Sequence, residues 1–172
     1  GKSASSYEIP DSVTSIGDYA FSGCSGLNSI TIPVGVTSIK DSAFSFCYSL
    51  TNVAIPDSVT SIEGGAFYDC TDLESITIPD SVTSIADGAF QYCTSLASVT
   101  IPESVTSIGS NAFTGCTSLT SITIPDSITS IGNVALAYCT SRKSITFEGD
   151  APTFGTDVFT GSDSVTIYYY DD

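Results

Sequence analysis

The sequence predicts an α/β repeat solenoid of about seven turns, with one parallel β-sheet and short helical or 3₁₀ segments. Cysteine recurs six times at a spacing of 23 residues, at Cys24, Cys47, Cys70, Cys93, Cys116 and Cys139. Proline recurs with the same period, at Pro10, Pro33, Pro56, Pro79, Pro102 and Pro125. A fixed period of this length indicates stacked units, because one unit alone cannot bury its apolar face.

The first element of each repeat is a short strand. In the third full repeat it runs from Leu73 through Ile76 to Ile78, and its last apolar positions alternate as a half-buried strand requires. Pro79 follows directly and has no N–H to donate to a neighbouring strand. The sequence therefore predicts strands that all end at the same place.

The second half of the repeat contains a turn and a compact segment. Pro-Asp-Ser sequences such as Pro79-Asp80-Ser81 favour a turn, and Val-Thr-Ser-Ile predicts a second brief extended stretch. Residues 88–93 then predict one turn of α- or 3₁₀-helix, with Phe90 filling the interior.

Stacking the units places equivalent apolar side chains in continuous columns along the axis. The inward columns are Ile16, Ile39, Ile62, Ile85, Ile108 and Ile131; Phe21, Phe44, Phe67, Phe90, Phe113 and Leu136; Leu27, Leu50, Leu73, Leu96 and Leu119; and Ile30, Val53, Ile76, Val99, Ile122 and Ile145. We interpret all of these residues as core.

The repeat, Leu-x-x-Ile-x-Ile-Pro-x-x-Val-x-x-Ile-x-x-x-Ala-Phe-x-x-Cys, resembles that of the BspA-like leucine-rich repeat proteins from Tyr7 to Phe147. The resemblance implies a bacterial or protist protein of the cell surface or extracellular space, often linked to adhesion. We expect residues 1–146 to form the repeats and 147–172 a degenerate last repeat and C-terminal cap. Arg142 replaces the repeat leucine and Ser162 stands in the place of the cysteine, as expected of atypical terminal repeats.

Charge and composition exclude several partner classes. The chain has 19 acidic residues against four basic ones, so nucleic acid and anionic membrane surfaces should be repelled. No apolar run approaches the roughly 18 residues of a membrane span, and we expect no membrane insertion. The acidic, Lys-poor surface favours an extracellular or cell-surface location. The chain opens at Gly1 inside a repeat, as expected of a processed product or an excised fragment.

No catalytic or cofactor site is predicted, and we expect the protein not to be an enzyme. Without histidine, Ser-His and Cys-His nucleophiles are excluded. We expect the six cysteines to be buried, reduced thiols, because parallel Cβ vectors in a ladder disfavour disulfides. Asp69, Asp72 and Glu74 form the densest acidic cluster. We interpret the cluster as a solvated rim, with a weak Ca²⁺ site as the alternative.

The outward face of the strands is the first candidate binding surface, and it is small, polar and almost uncharged. The positions best placed to contact a partner are Asn28, Thr31, Asn52, Glu74, Thr77, Thr100, Thr123 and Thr146. Lys143 ends one of these columns. The face lacks the Tyr, Trp and Arg anchors of tight protein interfaces, so a surface that only confers solubility is the alternative.

Aromatic residues predict a second candidate surface. Tyr48, Tyr68, Tyr92 and Tyr138 lie near the cysteine positions, where packing between turns is the main interpretation. At the two ends of the chain, the residues expected to take part in association are Tyr7, Ile9, Phe21, Tyr168, Tyr169 and Tyr170.

Two functions are predicted, in order of preference. The first is a noncatalytic recognition or adhesion module that binds a protein or a glycan. The second is a structural element that associates with itself end to end or laterally in an extracellular assembly. Binding of an ordered lattice such as ice through the Thr and Ser columns is disfavoured, because leucine-rich solenoids usually curve.

Overall fold

The structure is a computed structural model that describes residues 5–141, 144–162 and 166–169. The chain winds into a parallel β-solenoid of about seven turns, in which each turn corresponds to one repeat. No helix among the described residues is long and apolar enough to cross a lipid bilayer.

The predicted strands form the first ladder, and every pairing in it is parallel. Its strands are β1 (Ser5–Glu8), β2 (Leu27–Thr31), β4 (Asn52–Ala54), β6 (Ser75–Thr77), β8 (Ser98–Thr100), β10 (Ser121–Ile124), β12 (Ser144–Phe147) and β14 (Thr166–Tyr169). Regular pairing joins β1-β2-β4, β6-β8 and β10-β12-β14 into three groups that follow one another along the axis. Ile30 pairs with Val53 and Ile122 with Ile145, which is the register that the repeat period predicts.

A second parallel ladder shows that the prediction of a single sheet is wrong. It is a six-stranded sheet of β3 (Ser38–Ile39), β5 (Ser61–Ile62), β7 (Ser84–Ile85), β9 (Ser107–Ile108), β11 (Ser130–Ile131) and β13 (Thr153–Phe154). The bridge between Ile16 and Ile39 extends it into the first turn. The Val-Thr-Ser-Ile stretch was predicted to be extended, and stacking equivalent two-residue stretches is sufficient to build a sheet from it.

The compact segment is a run of tight turns, and the predicted helical segments are absent from the described residues. The N–H groups of Gly88, Phe90 and Tyr92 donate to carbonyls of the next repeat at 2.8–2.9 Å. The intervening N–H groups of Gln91 and Cys93 donate within their own turn. A helix needs consecutive N–H groups to donate within the segment, so this alternation excludes one.

Left-handed backbone conformations also prevent a helix, and they occur twice in every repeat. Gly88 and Tyr92 have φ values of 63° and 62°. Every described residue with positive φ belongs to one of two columns: Tyr19, Ser42, Gly65, Gly88, Asn111, Val134 and Asp157; or Gly23, Phe46, Asp69, Tyr92, Gly115, Tyr138 and Gly161. Each column therefore carries a turn of the chain at the same point in all seven repeats.

The core consists of the predicted columns. The rings of Phe21, Phe44, Phe67, Phe90 and Phe113 stack in a row, with centroids 5.2–5.5 Å apart and planes within 9° of parallel. Leu50, Leu73, Leu96 and Leu119 are fully buried. Phe21 and Val99 are only partly buried, whereas the other described members of the predicted columns lie inside.

Candidate functional site

The outward side chains of the first ladder form the strand face. Thr31, Asn52, Glu74, Thr77, Thr100 and Thr123 are exposed, and Asn28 and Thr146 are half-buried. Lys143 lies outside the described residues. The alternating burial of β4 and β6 directs hydroxyl and amide groups to solvent and the central Val53 and Ile76 inward.

A shallow depression lies on the strand face where β4 and β6 are side by side without regular pairing. It has a volume of about 340 Å³ and is lined by Asn52 to Ile55, Ser75 and Thr77. The available groups are hydroxyls, an amide and backbone, so this surface can form hydrogen bonds but offers no nucleophile with an activating base.

A longer groove of about 680 Å³ runs beside the second ladder. Its lining includes the hydroxyls of Ser84, Ser107, Ser130 and Thr153 and the exposed ring of Phe154. This groove was not predicted from the sequence. The available signal was the change at one repeat position from Lys40 and Glu63 to Ala86, Gly109, Gly132 and Gly155.

Five of the six cysteines are buried thiols, and all six lie within the described residues and form no disulfide. The prediction of burial is wrong for Cys24, which is exposed. The buried thiols also do more than fill space, because each donates to the carbonyl of a phenylalanine in the preceding repeat at 3.1–3.3 Å. Ser162, which replaces cysteine, donates to the Leu136 carbonyl with the same offset of 26 residues.

Burial suppresses ionisation of these thiols. Desolvation raises the pKa of Cys47 to about 12, and it raises the pKa values of Cys70, Cys93 and Cys116 further. A neutral thiol is neither a good nucleophile nor a metal ligand. The cysteine column is therefore a structural feature.

The carboxylates that the structure brings together are Asp18, Asp41 and Glu63, whose oxygens lie within 4.8 Å of one another. The predicted group of Asp69, Asp72 and Glu74 does not converge in this way. The Lys40 ammonium lies 2.5 Å from a Glu63 oxygen, and this contact raises the pKa of Lys40. Lys40 thus supplies a positive charge that a bound metal ion would have to displace.

Exposed rings follow the edge of the solenoid at the turns before and after the cysteines. Phe46, Tyr48, Tyr92 and Tyr138 are 39–52% exposed. Tyr68 lies between Phe46 and Tyr92, with centroid distances of 5.2 and 5.7 Å and edge-to-face geometry. Burial and the neighbouring Tyr92 and Asp69 raise the pKa of Tyr68.

The residues predicted for end association occupy the two outermost turns. Tyr7 is 48% exposed and contacts the Phe21 ring at 5.7 Å, whereas Ile9 is buried. At the other end Tyr168 is exposed on β14, Tyr169 ends that strand, and Tyr170 lies outside the described residues. Their part in association stays a prediction.

The sequence is similar to known repeat proteins along its whole length. The profile described as BspA type leucine rich repeat region matches residues 1–83 and 60–172, in six copies. No curated protein sequence matches the chain significantly.

Solved structures of bacterial proteins share the architecture. A leucine rich repeat protein from T. pallidum superposes with a TM-score of 0.83 at 30% identity, over 91% of this chain and 75% of that protein. A leucine-rich repeat protein from Bacteroides ovatus gives 0.74 at 28% identity, over 95% of this chain and 55% of that one. A leucine rich cell surface protein from Faecalibacterium prausnitzii gives 0.64 at 30% identity, over 96% and 60%. The chain thus spans little more than half the length of the last two.

Proposed function

The chain belongs to the BspA-type leucine-rich repeat family, and from this premise we propose that it is a noncatalytic recognition module that binds a protein or a glycan. We further propose a cell-surface or extracellular location. The relative from Faecalibacterium prausnitzii, described as a leucine rich cell surface protein, supports the location. The pneumococcal vaccine antigen PcpA is 17% identical and shares the fold.

The observation that carries the binding proposal is the strand face. Six strands of the first ladder, β2, β4, β6, β8, β10 and β12, present hydroxyl and amide groups at equivalent repeat positions, and the depression beside Asn52 and Thr77 gives a contact point. Glu74 is the one acidic residue among the predicted contact positions. A polar, weakly charged surface can hydrogen-bond to peptide groups or sugar hydroxyls without the electrostatic repulsion expected elsewhere on this acidic chain.

Binding arrays test the proposal. The fluorescently labelled chain is applied to immobilised extracellular proteins and to glycans, and we expect a saturable signal on at least one class. Thr100→Arg places a bulky side chain on the strand face and should reduce that signal. Thr83→Arg is the matched control, because Thr83 is exposed but lies away from the face. Equal loss in both variants, or no signal on either array, would contradict the proposal.

A second candidate function is end-to-end association. Among the described residues, β1 and β14 each pair with a strand on one side, and Ile167 and Tyr168 are exposed on the latter. An open strand edge can pair with another chain. Sedimentation velocity over a wide concentration range should then show growing species, and Ile167→Lys should abolish them. A constant monomer would count against this function.

A further inference from the structure

A continuous patch of four rings, here called the aromatic edge, lies on the flank of the second, third and fourth repeats. It consists of Phe46, Tyr48, Tyr68 and Tyr92. Phe46 contacts Tyr48 at 6.2 Å and Tyr68 at 5.2 Å, and Tyr68 contacts Tyr92 at 5.7 Å. Phe46, Tyr48 and Tyr92 remain 39–42% exposed, so the rings contact one another and still present surface to solvent.

The backbone holds two of these rings outward at an energetic cost. Phe46 and Tyr92 have φ values of 59° and 62°, in a region that bulky residues rarely adopt. Their N–H groups donate to carbonyls of the next repeat at 2.8 Å, which fixes this conformation. Equivalent positions in other repeats carry Gly23, Gly115 and Gly161, for which the conformation costs little. Packing of the solenoid therefore does not require rings at these positions.

An acidic residue lies within the same column. Asp69 stands one repeat after Phe46 and one repeat before Tyr92, and strand spacing places neighbouring repeats about 4.8 Å apart. In the part of the chain that the structure describes, the Asp69 carboxylate has no ion-pair partner, and the ion pair there joins Lys40 to Glu63. Asp72 is also exposed beside the edge, and its N–H donates to the Tyr48 carbonyl at 3.1 Å.

We propose that the aromatic edge, together with Asp69, binds the arginine or lysine side chains of a basic peptide segment on a protein partner. The faces of aromatic rings attract cations, and a carboxylate among the rings adds a direct charge partner. The chain itself supplies almost no cation here, since it has 19 acidic and four basic residues. This proposal rests on the proposed recognition function and names the chemistry of the partner. The binding surface is the aromatic edge and not the strand face.

The geometry favours a cationic peptide over a glycan as the occupant. Sugar rings stack on aromatic faces, whereas the rings of Phe46, Tyr68 and Tyr92 meet edge to face at 70° and 81°. Successive rings therefore point their faces in different directions and form no flat platform. Guanidinium and ammonium groups can enter between such faces, and the acidic surface would attract them from a distance.

Peptide titration of the full chain tests the proposal. The probe is a decapeptide of alternating glycine and arginine, and the control is the same peptide with citrulline, which keeps the shape and removes the charge. The chain contains no tryptophan, so its fluorescence comes from nine tyrosines, three of which belong to the aromatic edge, and isothermal titration calorimetry measures the affinity independently. We expect the arginine peptide to bind at least about fivefold more tightly than the citrulline peptide, and added salt to weaken it.

Two variants locate the binding. Asp69→Asn removes the charge, Tyr92→Asn removes a ring, and asparagine tolerates the left-handed conformation at both positions. Each should weaken binding about fivefold or more, with an unchanged circular dichroism spectrum. Asp57→Asn, an exposed acidic position on the Pro-Asp-Ser turn, changes the net charge equally and should leave binding unchanged.

Three results would overturn the proposal. Equal affinity for the citrulline peptide would exclude a cation site, and equal weakening by Asp57→Asn would show nonspecific charge attraction. Binding of cellohexaose or chitohexaose that is lost in Tyr92→Asn, without binding of the arginine peptide, would assign the edge to a glycan. The strand-face variant Thr100→Arg distinguishes this proposal from the proposed function. If that variant loses its signal on the binding arrays but still binds the arginine peptide, the strand face and the aromatic edge bind separately.

Discussion

The buried thiols add a second hydrogen bond to phenylalanine carbonyls that already accept one from a backbone N–H group, which an aliphatic residue could not do. Each lies beside a phenylalanine carbonyl of the preceding repeat and donates its S–H at 3.1–3.3 Å. Cysteine combines the small apolar volume needed in the column with a weak donor. Ser162 shows that a hydroxyl can take over the donation in the last turn, where the site is only half-buried.

The first prediction concerns stability at alkaline pH. Burial raises the folded-state pKa values of Cys47, Cys70, Cys93 and Cys116 above those in the unfolded chain. Their contribution is therefore fully present below the ordinary thiol pKa of about 8.5 and is lost as the pH rises above it. We expect the free energy of unfolding, measured by urea denaturation, to fall above about pH 9 by up to about 1.4 kcal/mol per pH unit for each thiol.

The control variant is Cys93→Ser, which keeps a donor and removes the ionisable group. Its stability should decline less steeply above about pH 9 than that of the wild-type chain, by about 1.4 kcal/mol per pH unit. Identical slopes would mean that Cys93 does not titrate on unfolding.

The second prediction concerns the glycines of the left-handed columns. A Cβ at Gly115 would lie 2.5 Å from a ring carbon of Tyr92, whereas a Cβ at Gly23 would meet nothing within 4 Å. Both residues have a φ of 74°. Gly115→Ala should therefore destabilise the fold by about 2–4 kcal/mol, because the steric cost adds to the conformational one, and Gly23→Ala by only the conformational cost of about 1 kcal/mol. Thermal melts compare the two, and equal losses would show that the ring moves aside freely.

At the scale of elements, the phenylalanine stack links one repeat to the next. The third prediction is that Phe90→Ala destabilises the chain by about 3–5 kcal/mol, because the ring is fully buried between Phe67 and Phe113. Gln91→Ala should cost little, since that side chain is only half-buried. Denaturant melts measure the free energy of unfolding of both variants. Comparable losses would show that the phenylalanine stack contributes no more to stability than the half-buried positions beside it.

The sequence predicted the elements whose identity depends on burial and missed those that depend on backbone conformation. Ile76 and Ile78 alternate with polar neighbours and the pattern returns every 23 residues, so the first ladder and its core columns follow from periodicity. The second ladder was missed because Ser84–Ile85 is too short to show a period. The helical interpretation of residues 88–93 was wrong because Gly88 and Tyr92 carry left-handed φ values, and for a tyrosine the residue type does not indicate this.

The candidate surfaces also differ in how far the sequence predicts them. The exposed positions of the strand face, such as Thr77 and Thr100, follow from strand alternation. The contact between Phe46 and Tyr68 could not be predicted, because it depends on the left-handed turn that directs Phe46 outward. The convergence of Asp18, Asp41 and Glu63 was overlooked, although Asp18 and Asp41 share one column and Glu63 lies in the neighbouring column of the next repeat.

At the scale of the whole molecule, each repeat contacts only its neighbours, so stability is close to a sum over repeats and their interfaces. The fourth prediction is that deleting residues 80–102 leaves a folded, shorter solenoid, because Pro79 then joins Glu103 with the register intact. Circular dichroism should keep the β signature, with a lower melting temperature.

Deleting residues 80–90 is the matched control. It removes about half a repeat and would bring Gln91 into a position that the turn after Pro79 normally fills. We expect this variant to lose cooperative unfolding, because every later column is shifted out of register. A folded half-repeat deletion would contradict the column-by-column account of the core.

The hydrogen bonds between repeats have a mechanical consequence. They run along the solenoid axis, and the outermost strands β1 and β14 lie at opposite ends of that axis. A pulling force applied through the two ends would therefore break these hydrogen bonds sequentially, one repeat at a time. Each released repeat of 23 residues would lengthen the chain by about 75 Å, so single-molecule pulling should show a regular series of small, equal steps. Under tension the protein would therefore unfold stepwise, and the remaining repeats would stay folded until the last interface between repeats is broken.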